Sequence, residues 1–497
     1  MDPKEFLKGK KVLVMGLGLL GGGVATAKWL LKVGAEVTVT DSKNEVELEL
    51  SLKKFTSAER KKLKLSLGGH KEKDFSEHDI VVVNPAVPKE SPYIAIAKKA
   101  GKQIENDASF FFRFAKNGTI GVTGTRGKTT ITNWIASMLA TKHGEVCASG
   151  NTPQNAFLKE MERTSKTNIP AVAELSSWQL ETMPASEKAP HVAVITNLFP
   201  DHLNRYKGGI EEYAAAKANI FKHQTENDFL ILNADNEWTP FFLMQKPKAK
   251  IYYFSKKSIK REWNGVFVKN DKIIFRENGV ERELLNVKGF AEKMGEHNMQ
   301  NLLATVLAVT LFEHNITPST PFGTAQGGQL RINKKMIDSL PQVPFRQEII
   351  FSARGLMVVN DSAGTSPDAV IAAIRRFSNS EVKPLSKIIL ITGGTDKDLQ
   401  FSDLAKEIKK SVPMKNLILL NGSATQKLIK ELDSLGSSTP KSYETLDECV
   451  NMAFAALPNK KGIIVFSPGA ASFEKFKNEF DRGEKFAAAI QLITMKK

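Results

Sequence analysis

The decapeptide GVTGTRGKTT, residues 121–130, follows an apolar run and leads into ITNWIASMLA, whose apolar positions recur at helical spacing. A glycine-rich turn feeding a helix N-terminus turns backbone N–H groups and the positive end of the helix dipole toward an anion. At this spacing Lys128 would reach the terminal phosphates of a nucleotide and the Thr129 hydroxyl would bind magnesium. The strict pattern GxxxxGK[ST] fails at its first position, which is Val122, so the core is Gly124-Thr125-Arg126-Gly127-Lys128-Thr129, followed by Thr130. A core this short also reads as an ordinary strand-to-helix turn with a solvated lysine; the flanking GVTG and Thr130 favour a bound nucleoside triphosphate.

Magnesium held on phosphates needs further oxygen ligands. Glu174 ends AVAE, and Asp201 with His202 follows VAVITNLFP. Singly, each reads as a surface or capping residue; together, after successive apolar runs, they are candidate ligands. Nearer the N-terminus, GLGLLG is a GxGxxG, and Asp41 ends the next apolar run. Alone, that is the dinucleotide fingerprint, which would suit a nicotinamide-dependent dehydrogenase.

These residues require strands that end side by side. Residues 10–110 alternate KVLVMGLG, GGGVATAKWLLKVG, AEVTVTD and DIVVVNPAVP, the order of parallel strands with crossover helices. A second series begins at TIGVTG and continues through AVAELSS and VAVITNL. A third comprises LMVVNDSAG, KIILITGG, NLILLNG and GIIVFSPG, and ligands collect beyond such strand ends in open parallel sheets. The 497 residues suit three domains. The reading is α/β, with boundaries near residues 106 and 343: a Rossmann-like N-terminal domain, a central P-loop ATPase-like domain with a parallel sheet, and a C-terminal Rossmann-like domain. The stretch NITPSTPFGTAQGGQLRINKK reads as a surface loop.

The formal charge of +16 suits polyanionic partners. Lys and Arg are spread along the chain, however, and no aromatic-interleaved recognition motif is present, so small phosphorylated molecules fit better than nucleic acid. Two cysteines, Cys147 and Cys449, are far apart and imply neither a zinc site nor a disulfide framework. The segment VLVMGLGLLGGGVATA imitates a secretory signal, but Asp2 and Glu5 spoil its basic flank. NLLATVLAVTLF is too short to span a membrane. The expectation is a cytoplasmic protein with no membrane insertion.

Eight motifs, GVTGTRGKTT, ELSSWQLE, TNLFPDHLNRY, YAAAKANIF, GEHNMQNLLA, NDSAGTSP, GGTDKDLQF and SPGAASFEKF, occur in the order of the Mur ligases, and the chain resembles that family over nearly its whole length. The resemblance implies an ATP-dependent ligase that adds D-glutamate to UDP-N-acetylmuramoyl-L-alanine through an acyl phosphate, acting as a monomer on small molecules. It implies ATP at residues 124–130, with two magnesium ions held by positions matching Thr129, Glu174 and His202. It also implies that Lys217, which otherwise reads as a helix-former with a solvated tip, is carbamylated and becomes a magnesium ligand. By the same resemblance Asn298 and Asn301 lie near adenine, Arg346 at the phosphates and Asp361 at the ribose, so that ATP would bridge two domains. Leu19, Leu20, Ser42, Lys43 and Asn151 match contacts to the UDP substrate; Thr365, Lys397 and Ser472 match contacts to D-glutamate.

Four departures bear on the substrate. Ala363 replaces a lysine near the amino-acid site, and Phe345 replaces a histidine. Glu479 and Phe480 stand in swapped order, which affects the aromatic D-glutamate contact assigned to Phe480, and NPAVP replaces the more usual SPG. Sister ligases that add L-alanine, a diamino acid, a dipeptide, or glutamate to folate are the alternatives. The absence of DNPR and the presence of GLGLLG favour D-glutamate.

Overall fold

Apolar runs of four to six residues that stop at Gly, Asp, Asn or Glu are too short for stable helices and become buried parallel strands. The computed structural model describes residues 2–19, 21–116, 118–150, 156–166, 169–203, 205–316, 331–378, 388–438 and 440–495. Leu20, Asn151 and most of the loop assigned at NITPSTPFGTAQGGQLRINKK lie outside them. Both ends of that stretch are helical rather than looped. Helix Glu296–Ile316 runs into its start, and helix Lys334–Asp338 takes its last residues, because Asn333 Oδ1 accepts from Met336 N at 3.1 Å and caps it.

Among the described residues the strands form three sheets. The first comprises Lys11–Met15 (β1), Glu36–Asp41 (β2), Lys64–Leu67 (β3), Ile80–Val83 (β4) and Gln103–Glu105 (β5), all parallel in the order β3-β2-β1-β4-β5. The signal-like segment thus supplies the central strand β1.

The second sheet contains Thr119–Thr123 (β6), Cys147–Ser149 (β7), Ala171–Glu174 (β8), Val192–Ile195 (β9), Phe229–Asn233 (β10) and Lys250–Ser255 (β11). Beyond these come Gly265–Lys269 (β12), Lys272–Glu277 (β13) and Val280–Asn286 (β14). Its order is β14-β13-β12-β11-β10-β9-β6-β8-β7. Strands β7 to β12 are parallel, whereas β12, β13 and β14 pair antiparallel. The strand carrying the phosphate loop, β6, therefore lies between β8 and β9, where the connections diverge to either side. A crevice opens beyond the carboxyl ends at such a point.

The third sheet is Glu348–Ala353 (β15), Leu356–Asn360 (β16), Ile389–Thr392 (β17), Leu417–Leu420 (β18), Ser442–Tyr443 (β19) and Gly462–Phe466 (β20), in the order β15-β16-β20-β17-β18-β19. Only β15 pairs antiparallel.

The chain divides into two compact units, residues 1–286 with 301–340, and residues 287–300 with 341–497. In the first unit one buried cluster runs from β1 and β2 through Trp29, Phe110 and Phe114 to the residues under the central sheet. Trp29 meets Phe110 at 5.7 Å and Phe114 at 5.9 Å between ring centroids. In the second unit, Val359, Leu390, Leu419 and Val465 fill one face of the sheet, and Val358, Ile389, Ile418 and Phe466 the other. No helix among the described residues is long and apolar enough to cross a membrane.

Candidate active site

The phosphate loop joins β6 to helix Lys128–His143, with Gly127 as N-cap at φ 84°. Its glycines are required by space as well as by conformation. A Cβ on Gly124, at φ 143°, would stand 1.9 Å from Thr196 Oγ1, and one on Gly127 would stand 2.3 Å from Asn301 Oδ1. The strand beside it braces the loop: Thr125 N donates to Asn197 O at 2.9 Å, Arg126 N to Asn197 Oδ1 at 2.8 Å, and Thr196 Oγ1 to Arg126 O at 2.6 Å. The Arg126 guanidinium pairs with the buried Asp201 at 2.7 Å. Asp201 therefore orients the loop, a use its sequence position did not disclose.

Two lysines converge on one carbonyl. Lys128 Nζ donates to Gly124 O at 3.1 Å and to Thr125 O at 3.2 Å, and Lys217 Nζ donates to the same Gly124 O at 2.9 Å. Lys217 comes from helix Gly209–Ala218, is 1% exposed, and lies 4.4 Å from the centroid of Tyr213. Burial, with the neighbouring Lys128 ammonium second, holds its amine well below the usual lysine range. The sequence reading of a solvated tip is therefore wrong for Lys217: the alanines around it let its helix pack close, and the side chain points inward.

Thr129 Oγ1 donates to Glu174 Oε1 at 3.1 Å, joining the loop to the end of β8. Two residues after Glu174, Ser176 caps helix Ser177–Thr182 in a reciprocal pair with Gln179, so the strand turns there. His202 is exposed at φ 55°, with its ring 5.3 Å from Trp178 and 6.3 Å from Tyr213. Among the described residues no three His, Cys, Asp or Glu side chains gather at metal-binding spacing. The Thr129 hydroxyl and the Glu174 carboxylate are oxygen donors and fit a hard oxygen-seeking cation on phosphates. Thr130 is buried on the first turn of the helix.

Around the first sheet, Asp41 is engaged by the protein itself. Its Oδ2 accepts from Leu17 N at 2.9 Å and Gly18 N at 3.2 Å, and its Oδ1 from Lys43 N at 3.0 Å. That carboxylate ties the end of β2 to the glycine turn after β1. Leu19, 53% exposed, with Ser42 and Lys43 forms the rim at the carboxyl ends of β1 and β2. Also within the first unit, a cleft of about 510 Å³ is lined by Asn84, Val87, Trp178, Glu181 and Arg205. Arg205 organises it, donating to Pro85 O at 3.2 Å, Val87 O at 3.1 Å and Glu181 at 3.1 Å while lying 4.5 Å over Trp178. It sits three residues past His202 in TNLFPDHLNRY and was legible only as part of that motif.

In the second unit, Asp361 is buried below the end of β16. It accepts from Gln347 N at 3.0 Å and Ser467 Oγ at 2.6 Å. Burial raises its carboxyl to about 7 against those bonds and the charges of Arg346 and Arg376. Arg346 is exposed beside it, and Thr365 is half-buried four residues further on. Thr395 and Ala471 exchange two backbone bonds of 3.0 Å, which ties the loop of half-buried Lys397 to that of Ser472. Ser472 Oγ is buried with no hydrogen-bond partner among the described residues, so it retains an unused donor and acceptor for a ligand. Two of the sequence departures meet here: the Phe345 and Phe480 rings lie 6.0 Å apart, edge to face. Asn298 Nδ2 donates to Met294 O at 2.7 Å at the start of helix Glu296–Ile316, which begins in the second unit and continues into the first, where Asn301 abuts Gly127.

Comparison with known proteins bears on this geometry. Residues 122–309 match the Mur ligase middle domain, and residues 10–106 match the MurD-like N-terminal domain of Mur ligases. The chain is 34% identical over 494 residues to a UDP-N-acetylmuramoylalanine–D-glutamate ligase of Roseiflexus sp., covering 98% of this chain and all of that one. It is 33% identical to the enzyme of that name from Borreliella afzelii, over 98% of this chain and 99% of that one. Among solved structures, MurF from Acinetobacter baumannii superposes with a TM-score of 0.57 at 15% identity, covering 99% and 92% of the two chains. MurF ligase from Thermotoga maritima in complex with ADP gives 0.54 at 14% identity, covering 99% and 97%.

Proposed function

Because the chain belongs to the Mur ligase family, we propose that it is an ATP-dependent acid–amino-acid ligase that joins D-glutamate to UDP-N-acetylmuramoyl-L-alanine in peptidoglycan precursor synthesis. The observation that carries the reading is the phosphate loop, with two lysines converging on Gly124 O and a hydroxyl–carboxylate pair at its helix.

A carboxylate does not form an amide with an amine until its oxygen becomes a good leaving group. In this reading the substrate carboxylate attacks the γ-phosphate of ATP, giving an acyl phosphate and ADP; the amine of D-glutamate then attacks the acyl carbon and phosphate leaves. Such a transfer depends on positioning and charge stabilisation rather than on a protein nucleophile. The loop amides and Lys128 hold the phosphates, and Arg346 neutralises charge on them. Thr129, Glu174, His202 and a carbamylated Lys217 would hold magnesium, which neutralises phosphoryl oxygens when bound. The carbamate needs a neutral amine to take up carbon dioxide with loss of a proton, and the depressed Lys217 supports that. Asn298 and Asn301 are assigned to adenine and Asp361 to the ribose. Leu19, Leu20, Ser42, Lys43 and Asn151 are assigned to the UDP substrate, and Thr365, Lys397, Ser472 and Phe480 to D-glutamate. We place the domains at residues 1–106, 107–343 and 344–497, and the protein as a monomer in the cytoplasm.

The test is ADP release with ATP, magnesium and UDP-N-acetylmuramoyl-L-alanine, comparing D-glutamate with L-glutamate, L-lysine and diaminopimelate, with product mass determined. Turnover with D-glutamate alone is expected. Turnover only with another amino acid, or with UDP-N-acetylmuramate and L-alanine, would move the protein to a sister activity.

A further inference from the structure

The turn that presents Arg346 is strained. Phe345 at φ 62° and Gln347 at φ 47° both occupy the left-handed region, on either side of an exposed arginine. Non-glycine residues persist there only when the surroundings hold them. The first of the two is held from several sides. Phe345 N donates to Glu348 at 2.9 Å and Phe345 O accepts from Ala363 N at 2.9 Å. Its ring lies against Gly483, where a Cβ would stand 2.3 Å from Phe345 Cδ1. Gln347 is held by two charged residues. Its N–H goes to Asp361, and its carbonyl and side-chain oxygen accept from Arg376 at 3.4 and 3.2 Å.

Arg376 comes from the last turn of helix Pro367–Ser378, and its guanidinium lies 4.8 Å from the centroid of Phe377. Its Cδ is 3.3 Å from where a Cβ on Gly295 would stand, beside the turn that leads to Asn298. Arg376 thus lies against two of the segments assigned to the nucleotide, with Nη1 bonded to Gln347 and Nε buried without a partner among the described residues.

We propose that Arg376 is a positioning residue for nucleotide use: it clamps the strained Phe345–Gln347 turn so that Arg346 is presented in one orientation. Nothing in the spacing of the sequence marked it, since it precedes Phe377 in a helix that reads as simply amphipathic. Both acceptors on Gln347 are reached from one guanidinium nitrogen, Nη1, so a lysine ammonium reproduces the contact in part.

This inference rests on the ligase reading, and a double-mutant cycle tests it on the full-length protein, with melting curves establishing that each variant is folded. Arg376→Met should lower kcat/KM for ATP about tenfold or more while KM for D-glutamate stays within about twofold. In an Arg346→Ala background the same change should cost less than about threefold, because the residue it acts through is gone. Arg376→Lys should restore part of the loss, and it carries the cycle if the methionine variant does not fold. Unchanged ATP kinetics in the folded Arg376 variants, or losses that multiply in full with Arg346→Ala, would overturn the proposal. If the unmodified protein consumes no ATP with any muramoyl substrate, the ligase reading itself fails.

Discussion

Lys217 carries the heaviest chemical demand of any residue in the site. A buried amine beside the Lys128 ammonium is disfavoured as a cation, and the reading above uses the neutral form. Lys217→Ala should abolish ADP formation, with partial recovery when small carboxylates are supplied; an active variant together with no added carboxyl mass at Lys217 would refute the carbamate. Lys128→Ala and Glu174→Ala should each remove ADP formation and leave the melting temperature nearly unchanged, and near-normal turnover in either would refute the mechanism. Asp361 gives a pH signature. Its carboxyl is raised from 3.8 to about 7, so the neutral form is favoured by folding. The stability this contributes is complete below 3.8 and is lost as pH rises through about 7, so Asp361→Asn should flatten that part of the stability profile. Conversely, if the carboxylate accepts from the ribose, KM for ATP should rise by up to about tenfold per unit as pH falls below 7, and the asparagine variant should not show this.

Among the elements, the phosphate loop and the last helix each depend on a close fit. Gly124→Ala sets a side chain onto Thr196 at a backbone angle that L residues rarely adopt, and should cost about 1–3 kcal/mol from conformation alone, with loss of ATP binding, as read by melting and nucleotide titration. Helix Glu479–Met495 places Arg482 in full burial, donating to Ala470 O and Ala471 O at 3.0 Å and to Ser362 O at 2.8 Å and Oγ at 3.1 Å. It ties NDSAGTS to SPGAAS, the two loops assigned to the amino acid. Burial lowers the guanidinium to about 10. Arg482→Met leaves those acceptors buried without a donor and should destabilise the second unit by at least ~3 kcal/mol in denaturant unfolding. The hairpins β12–β14 were absent from the strand runs picked out by apolar pattern; β12 and β13 are mostly buried and only β14 is mostly exposed. Their turns carried the missing signal: Asn270-Asp271 and Asn278-Gly279 all adopt positive φ, as two-residue hairpin turns require.

Across the whole molecule, the net charge of +16 is compatible with small polyanionic ligands. A ligand that binds only the native state stabilises it by about 2.7 kcal/mol at a hundredfold excess over Kd. Magnesium ATP should therefore raise the unfolding midpoint of the wild-type chain, whereas the Lys128→Ala variant should show little shift; equal shifts in both would argue that the nucleotide binds elsewhere. The two compact units divide helix Glu296–Ile316 between them, so Asn298 falls in one and Asn301 in the other. Spacing does not show this division, because helical period reports neighbours along one element only.

The residues by themselves determined what is local: the strands, their polar ends, the glycine loop, the capped helix after Glu174 and the order of the motifs. Each follows from apolar period, from glycine at positive φ or from a side chain bonding its own next turn. What depends on remote neighbours was decided only by tertiary structure. Lys217 meets Gly124 across 93 positions of sequence, and the burial that depresses its amine exists only once helix Gly209–Ala218 packs on the loop. Asp41 ends an apolar run in the sequence, and only folding aims the amides of Leu17 and Gly18 at it. Phe345 and Phe480, read as separate departures, are one ring pair. Burial and pairing are properties of the packed chain, and a linear pattern carries them only where the partners are near in sequence.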